Sequence, residues 1–322
     1  MKMWTKPGLI ILGIFLTAVF MGCDSKNNND NDFAGLVDIG NGRKMYIECR
    51  GTGSPTVVFI SGLLDRTESW TTSRVPSEEA VYPAITKTTR VCAYDRPGTI
   101  VATGDGPNDF EKSRSDAIPQ PITLEESIAD LRALLTAFGE PGPYVVVAHS
   151  WGGAMAKYYT SNFPEEVSGL VLVDYLPYKL RSALTDEEWE DWKKVQSPTE
   201  EGLSVYPEQE WLENQTNLEQ ELASPPFGPL PLVVFSSTEP FALAAADALN
   251  LPPDEARAFL DKIFQAVPDA RAGFVSEVPG SKYVTDTDSG HYIHQEHPNL
   301  ISDAVREVVD AVRNGCSTPA CE

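Results

Sequence analysis

Residues 145–153 join a run of β-branched residues to a serine and two glycines: Val145-Val146-Val147-Ala148-His149-Ser150-Trp151-Gly152-Gly153. The apolar run predicts a buried strand, and the residues after Ser150 predict a helix. A serine on such a sharp strand-to-helix turn needs small neighbours two places before and after it, here Ala148 and Gly152, because the backbone is crowded there. The turn exposes the hydroxyl and leaves N–H groups at the helix start that can bind an oxyanion. The pattern therefore predicts that Ser150 is a nucleophile.

A serine hydroxyl needs a base to accept its proton, and the usual base is histidine. The chain has four histidines, His149, His291, His294 and His297. His149 directly precedes Ser150, so its side chain is expected to point away from the nucleophile. His291 lies in a predicted loop, between a strand at 281–286 and a helix at 299–313. We predict that His291 is the base.

The spacing of His291, His294 and His297 raises the alternative of a zinc site, since three imidazoles can hold that ion. Pro298 disfavours helical geometry at His297, however, and no cysteine or carboxylate pattern flanks the segment. We therefore expect no metal, and we place His294 and His297 in a solvated turn beside the site. No motif for any other cofactor is recognisable, and none is expected.

At this point the chain resembles the α/β-hydrolase superfamily, in its branch of single-domain, esterase-like serine hydrolases. The resemblance covers about residues 35–313. Besides the serine turn and Ser289-Gly290-His291, it is carried by three segments: Thr56-Val57-Val58-Phe59-Ile60-Ser61-Gly62-Leu63, Arg90-Val91-Cys92-Ala93-Tyr94-Asp95-Arg96-Pro97-Gly98 and Gly169-Leu170-Val171-Leu172-Val173-Asp174. Ser61 stands where the family's oxyanion loop usually has histidine, and Ala148 stands where the serine motif usually has glycine. The resemblance implies a mostly parallel eight-stranded sheet with helices on both faces and a small helical cap.

The pattern of apolar segments agrees with this α/β fold class. Short apolar runs near 57–60, 91–94, 144–148, 169–173, 231–235 and 282–285 alternate with helical segments. Buried strands separated by helices predict a mainly parallel sheet that is covered on both faces. An insertion at about 176–229, rich in Trp, Glu and Pro, occupies the place of the cap, and its tryptophans either line the substrate pocket or fix the cap to the body.

The remaining site residues are predicted by the resemblance. The acid that orients His291 is either Asp174, at the end of the strand after the serine helix, or Glu239, after the next strand. We favour Asp174, because aspartate is the commoner orienting residue and 236–239 lacks the family's Gly-x-x-Asp. The oxyanion hole is expected to be the amides of Leu63 and Trp151.

These residues predict a serine hydrolase that cleaves an uncharged or weakly charged ester through an acyl-enzyme. Two chemical alternatives on the same fold remain open, an aminopeptidase or amidase and a lyase. An alternative of another class is a surface lipoprotein that binds a ligand without catalysis. The expected partner is therefore a small-molecule ester or acyl substrate. The formal net charge of −22 argues against nucleic-acid partners, which require a basic patch, but it does not itself identify a partner.

The N-terminus predicts export. Lys2 and Lys6 precede a thirteen-residue apolar run at 8–20, which is short for a membrane span. The following Phe20-Met21-Gly22-Cys23 resembles a bacterial lipoprotein signal with cleavage after Gly22 and lipid on Cys23; an ordinary signal peptide and an uncleaved anchor are the alternatives. We expect a signal at 1–22, a disordered tether at 23–34, the hydrolase domain at 35–315 and a tail at 316–322. The lipid would attach the protein to a membrane of the cell envelope.

Cysteine usage fits an oxidising compartment, because four cysteines remain apart from Cys23. Cys316 and Cys321 are expected to close a small loop in the tail. Cys49 and Cys92 lie on strands that the fold makes neighbours, so they form either a second disulfide or two buried thiols.

Overall fold

The computed structural model of the protein describes residues 32–104, 109–197, 200–226, 228–240 and 249–321. The strands in these ranges are β1 (Phe33–Gly40), β2 (Arg43–Arg50), β3 (Val57–Ile60), β4 (Val91–Tyr94), β5 (Ile100–Ala102), β6 (Phe110–Lys112), β7 (Tyr144–His149), β8 (Val167–Val173), β9 (Leu232–Phe235) and β10 (Lys282–Val284). The helices are α1 (Glu68–Thr71), α2 (Val81–Thr86), α3 (Leu124–Phe138), α4 (Trp151–Asn162), α5 (Asp186–Val195), α6 (Glu200–Val205), α7 (Asn214–Ala223), α8 (Pro253–Val275), α9 (Ile293–Glu296) and α10 (Pro298–Arg313), with a 3-10 helix at Tyr178–Ala183.

Eight of these strands form one sheet, in the order β1-β2-β4-β3-β7-β8-β9-β10. β2 is antiparallel to both β1 and β4, whereas the pairs from β4 through β10 are parallel. The strands β5 and β6 form a separate antiparallel pair. The predicted mostly parallel eight-stranded sheet is therefore confirmed.

Side chains along the central strand β7 alternate between two hydrophobic cores. Val146 and Ala148 belong to the core that contains α3 and α4, and Val145 and Val147 belong to the core that contains α2 and α10. A strand covered on both faces has no polar face, which is why residues 145–148 are all apolar. The carboxyl end of β7, where Ser150 follows, therefore lies on a rigid, fully buried support.

The predicted insertion at 176–229 contains the 3-10 helix and the helices α5, α6 and α7, and it connects β8 to β9. Helix α5 begins with a capping box, in which Thr185 accepts from the amide of Glu188 and the Glu188 side chain accepts from the amide of Thr185. Its tryptophans, Trp189 and Trp192, are buried. The insertion is thus an ordered helical segment whose aromatic side chains face the protein.

The boundary between tether and domain differs from the prediction. Phe33 and Ala34 already belong to β1, where they pair with Cys49 and Glu48, so the predicted tether at 23–34 is two residues too long. The apolar Phe33 packs on Phe138 of α3, and this contact extends the strand toward the N-terminus. The predicted signal at 1–22 and the lipidation site Cys23 lie outside the described residues.

The described part of the chain contains two disulfides. Cys316 pairs with Cys321 as predicted, and Cys49 of β2 pairs with Cys92 of β4, which lies directly opposite in the antiparallel register. Both disulfides are compatible with an exported protein, since such bonds persist in oxidising compartments. Across the described residues, no helix combines the length and apolar character needed to cross a membrane.

Candidate active site

Ser150 occupies the sharp turn between β7 and α4. Its backbone has φ 52° and ψ −120°, a conformation that is rare for a residue with a side chain. The helix after this turn approaches β3 so closely that a Cβ at Gly152 would lie 2.5 Å from the carbonyl oxygen of Ile60. The small residue predicted two places after Ser150 is therefore required by the close approach of β3 and α4.

The imidazole of His291 lies beside the carboxylate of Asp174. Nδ1 of His291 is 2.5 Å from Oδ2 of Asp174, which follows the last residue of β8. His291 follows β10 in a loop, as predicted, and its side chain is about a quarter exposed. Because a carboxylate only accepts, this contact places the proton on Nδ1, and the unprotonated Nε2 is the nitrogen that can act as a base.

Asp174 is fully buried and is held by two further groups. The backbone N–H of Ser237 donates to its Oδ1 at 2.8 Å, and Arg271 forms an ion pair with the same oxygen at 2.8 Å. Burial alone would raise the pKa of Asp174, but Arg271, the bond to His291 and the Ser237 amide together place it well below its usual range. Asp174 is thus ionised at every pH at which the protein is expected to function.

Arg271 also belongs to this site, although it was not among the residues predicted from the sequence. It lies in the C-terminal part of α8, where Val267 and Phe274 mark the buried face, and it is itself buried. Besides Asp174, its guanidinium donates to the backbone oxygen of Tyr175 at 2.6 Å. The signal in the sequence was an arginine at a position where the helical periodicity predicts a buried, apolar side chain. A guanidinium buried at such a position needs a buried anion as its partner.

The alternative acid, Glu239, occupies a different environment. Glu239 is exposed and lies in the turn after β9. Its backbone amide donates to the carbonyl of Ser289 at 3.1 Å. The geometry around Nδ1 of His291 therefore supports Asp174 as the orienting acid.

The predicted oxyanion-hole residues lie on two adjacent segments. Trp151 is the first residue of α4, so its amide is among the N–H groups that have no partner within the helix. Leu63 follows β3 and lines the same cavity as Ser150 and Trp151. Ser61, which replaces the family's histidine in this loop, donates through Oγ to the carbonyl of Arg66 at 2.9 Å and so closes the loop on itself.

Arg96 holds the loop at 61–63 in place through two hydrogen bonds. Its guanidinium donates to the carbonyl of Ser61 at 2.9 Å and to that of Gly62 at 2.5 Å. These carbonyls belong to the two residues before Leu63, so the position of the Leu63 amide depends on Arg96. The Asp-Arg-Pro-Gly segment, singled out in the sequence as a family resemblance, therefore supports the predicted oxyanion hole.

The counter-charge of Arg96 comes from the insertion. Glu210 is buried, and its carboxylate accepts from Nε of Arg96 at 2.6 Å and from the amide of Leu64 at 2.9 Å. Burial would lower the pKa of Arg96, but the ion pair with Glu210 raises it above the usual value. The insertion thus contributes a charge on which the loop beside Ser150 depends, and no local sequence pattern predicted Glu210 for this position.

Two buried histidines surround the loop of His291. Nε2 of His149 donates to the backbone carbonyl of His291 at 2.9 Å. The imidazole ring of His149 also lies against that of His291. Nε2 of His294 is 3.0 Å from Oγ of Ser69. Burial and the neighbouring histidines lower the pKa of both, that of His294 to about 3, so both are neutral.

The prediction of a solvated turn for His294 is therefore wrong. His294 lies in the short helix α9 and packs its ring on Trp70, because Ile293 and Gln295 of the same helix are also buried against the body. His297 makes a different contact, in which Nε2 donates to the carbonyl oxygen of Asp288 at 3.0 Å. The three histidines of this segment thus direct ring nitrogens to Asp174, Ser69 and Asp288, respectively.

Asp65 is a second acidic residue beside the site. Its Oδ2 accepts from Oγ of Ser69 at 3.2 Å and is 3.8 Å from Nδ1 of His149. Burial raises its pKa to about 6, although part of the side chain is exposed. The hydrogen bond from Ser69 and the nearby Arg96 partly offset this effect of burial on the pKa of Asp65.

A cavity of about 170 Å³ adjoins Ser150. The body contributes Leu63, Ser150 and Trp151 to its wall, and the segment from 176 to 212 covers it with mostly apolar side chains. A larger cavity of about 360 Å³, between Lys157 and Glu277, contains none of the predicted catalytic residues. The smaller cavity is the one that a substrate attacked by Ser150 would occupy.

Known proteins resemble this chain in sequence. A model of the alpha/beta hydrolase family matches residues 57–304, which include Ser150, Asp174 and His291. The uncharacterized protein YbdG of Bacillus subtilis (strain 168) is 24% identical over 151 residues, which cover 45% of this chain and 40% of YbdG. Lipase LipV of Mycobacterium tuberculosis (strain ATCC 25618 / H37Rv) is 44% identical over 54 residues, which cover 17% of this chain and 20% of LipV. The chain thus spans less than half the length of these curated relatives.

Solved structures share the fold at low sequence identity. Alpha/beta hydrolase domain-containing protein 10 from mouse superposes with a TM-score of 0.57 at 14% identity, over 87% of this chain and 99% of that protein. Est816, described as an N-acyl homoserine lactone degrading enzyme, superposes with a TM-score of 0.52 at 16% identity, over 84% of this chain and 99% of Est816. These likenesses confirm the predicted fold and carry no conclusion about substrate. Because the family match extends over most of the chain, the protein belongs to the alpha/beta hydrolase family.

Proposed function

We propose that the protein is a serine hydrolase that cleaves carboxylic esters through an acyl-enzyme on Ser150. The observation that carries this proposal is the contact of His291 with the buried, ionised Asp174, together with a serine that is held in a strained turn at the end of β7. The resemblance to a protein named as a lipase supports the same chemistry. An aspartate-based reaction is disfavoured, because serine occupies the nucleophile position.

The reaction begins when Oγ of Ser150 attacks the ester carbonyl and His291 accepts the hydroxyl proton at Nε2. Asp174 stabilises the imidazolium, and the amides of Leu63 and Trp151 donate to the oxyanion. His291 then returns the proton to the leaving alcohol as the C–O bond breaks, which leaves the acyl group on Ser150. Water, deprotonated by His291, then attacks the acyl carbon. The bond from that carbon to Oγ of Ser150 breaks, His291 returns the proton to Oγ, and the acid is released.

Covalent labelling tests this proposal directly. We expect a fluorophosphonate to label the folded protein at one site, and the variant Ser150→Ala to remain unlabelled, because only an activated serine attacks the phosphorus. Intact mass and peptide mapping identify the site. A wild-type protein that stays unlabelled while folded would contradict the proposal and favour a binding protein without catalysis.

We further propose that the hydrolase is exported and attached to a membrane of the cell envelope through a lipid on Cys23. The apolar run ending in Phe20-Met21-Gly22-Cys23 and the two disulfides support this location. In a bacterial host supplied with labelled palmitate, the full chain is expected to incorporate the label and Cys23→Ala to lose it. Equal incorporation by both proteins would reject Cys23 as the lipidation site.

A further inference from the structure

The carboxylate of Asp174 is shared between the predicted base and a buried cation. Its Oδ2 is 2.5 Å from Nδ1 of His291, and its Oδ1 is 2.8 Å from Nη1 of Arg271. The side chains of Arg271 and Asp174 are only 1% and 0% exposed. A single carboxylate group therefore separates the positive guanidinium from the imidazole, and little water is present to screen the charge.

Holding Asp174 in place does not by itself require a positive charge. The backbone amide of Ser237 already donates to the same Oδ1 at 2.8 Å. The guanidinium of Arg271 is in turn held by two neutral acceptors, the carbonyl of Tyr175 and the hydroxyl of Ser236. Since a neutral donor at position 271 could make the same bond to Oδ1, the property that arginine adds is its charge.

A positive charge opposes the binding of a proton to any group near it. This sign holds for Asp174 and His291 as a coupled pair, because the protonated pair has one more positive charge than the unprotonated pair, wherever the proton lies. The unprotonated pair is the form that can accept the proton of Ser150. Resting on the proposed ester hydrolysis, we propose that Arg271 keeps this pair unprotonated in mildly acidic solution and so extends esterase activity to lower pH.

Other titratable groups face the same pair from β7, from the segments after β3 and β9, and from α9 and the loop before it. They are Asp65, His149, Glu239, Tyr292, His294 and Glu296. Burial lowers the pKa of His149 and of His294, and the charge of Asp65 together with burial raises that of Tyr292. These three side chains are therefore neutral throughout the range in which activity is expected.

Asp65 is the neighbour that can obscure the effect of Arg271. Burial raises its pKa to about 6, so it changes charge in mildly acidic solution. The decrease of activity on the acidic side can therefore contain the titration of Asp65 as well as that of the Asp174–His291 pair. An experiment on Arg271 has to separate these two contributions.

The test compares Arg271→Gln with Arg271→Lys. Both variants lose the planar guanidinium, but glutamine removes the charge and keeps an N–H donor, whereas lysine keeps the charge. The pH dependence of kcat/KM for a p-nitrophenyl ester reports proton binding by the free enzyme. We expect Arg271→Gln to move the midpoint of the acidic limb upward by about one pH unit, the lower end of the effect of a close charge. Arg271→Lys should move it by less than about a third of that shift.

Asp65→Asn, alone and combined with Arg271→Gln, separates the two titrations, because the shift caused by Arg271→Gln should persist when residue 65 cannot ionise. Arg271→Met, which removes the same charge, replaces Arg271→Gln if that variant does not fold. An acidic limb that stays in place without the charge, or that moves equally in Arg271→Lys, would overturn this inference and leave ester hydrolysis intact. Complete inactivity of folded Arg271→Lys and Arg271→Gln would also overturn it, since the role would then be structural. A wild-type protein with no hydrolysis at any pH and no fluorophosphonate label would overturn the proposed function as well.

Discussion

Replacing Asp174 with asparagine is expected to lower kcat/KM for p-nitrophenyl esters by about 10⁴-fold, the size of effect that removing the orienting carboxylate has in serine hydrolases. Asparagine is nearly isosteric, but it carries no charge to stabilise the imidazolium of His291. Its amide can also donate to Nδ1, which would stabilise the wrong tautomer and leave a proton on Nε2. Initial-rate assays over a range of substrate concentrations measure the decrease in kcat/KM.

The matched control for this experiment is Glu239→Gln, because Glu239 was the alternative acid. It should retain at least about half of the wild-type rate, as expected for an exposed side chain. Asp174→Asn also leaves Arg271 without its anion, so the free energy of unfolding must be measured for the same variant. Arg271 keeps the carbonyl of Tyr175 and the hydroxyl of Ser236 as partners, which limits the expected disruption. If only Glu239→Gln were inactive, the assignment of Asp174 would be wrong.

Replacing Glu210 with alanine is expected to lower the free energy of unfolding by about 3–5 kcal/mol, because it leaves the buried charge of Arg96 without a counter-charge. The Arg96–Glu210 pair is almost fully enclosed, so water cannot take over the role of the lost carboxylate. The amide of Leu64 would lose its acceptor in the same variant. Urea unfolding followed by tryptophan fluorescence measures the change.

Glu208→Ala is the control for Glu210→Ala. Glu208 lies two residues away on the same segment but is exposed, so its removal should change stability by no more than about 0.5 kcal/mol. Esterase activity of Glu210→Ala, measured well below its unfolding midpoint, should also fall, because Arg96 holds the carbonyls of Ser61 and Gly62. Equal stability of the two alanine variants would show that the Arg96–Glu210 pair contributes nothing net.

The fold and the positions of Ser150 and His291 could be predicted from local patterns. The apolar run before Ser150, the small residue at Gly152 and the strand before His291 are short-range signals, because strand, turn and helix are adjacent in sequence. The proximity of Asp174 to His291 was predicted only as one of two options. Both candidate acids end parallel strands at the same edge of the sheet, so sequence order alone does not distinguish them.

The partners of buried charges could not be predicted in the same way. Arg271 meets Asp174 and Glu210 meets Arg96 across about 100 residues of chain, and no local pattern encodes such a distance. His294 was misplaced for a related reason. The polar Gln295 and Glu296 follow it in sequence and favoured a solvated turn, whereas the packing of α9 on Trp70 removes His294 from solvent.

The contribution of Glu210 also bears on how this scaffold can be engineered. Caps of hydrolases are attractive units for grafting, because they carry much of the substrate contact and are inserted between two strands of the sheet. Here a cap transplanted from another protein would have to bring a carboxylate to the guanidinium of Arg96 and a backbone N–H to the carbonyl of Gly98, as Glu210 does. A chimera that keeps residues 208–210 and exchanges only the helices around them respects that dependence, whereas a clean exchange of 176–229 removes part of the catalytic body itself.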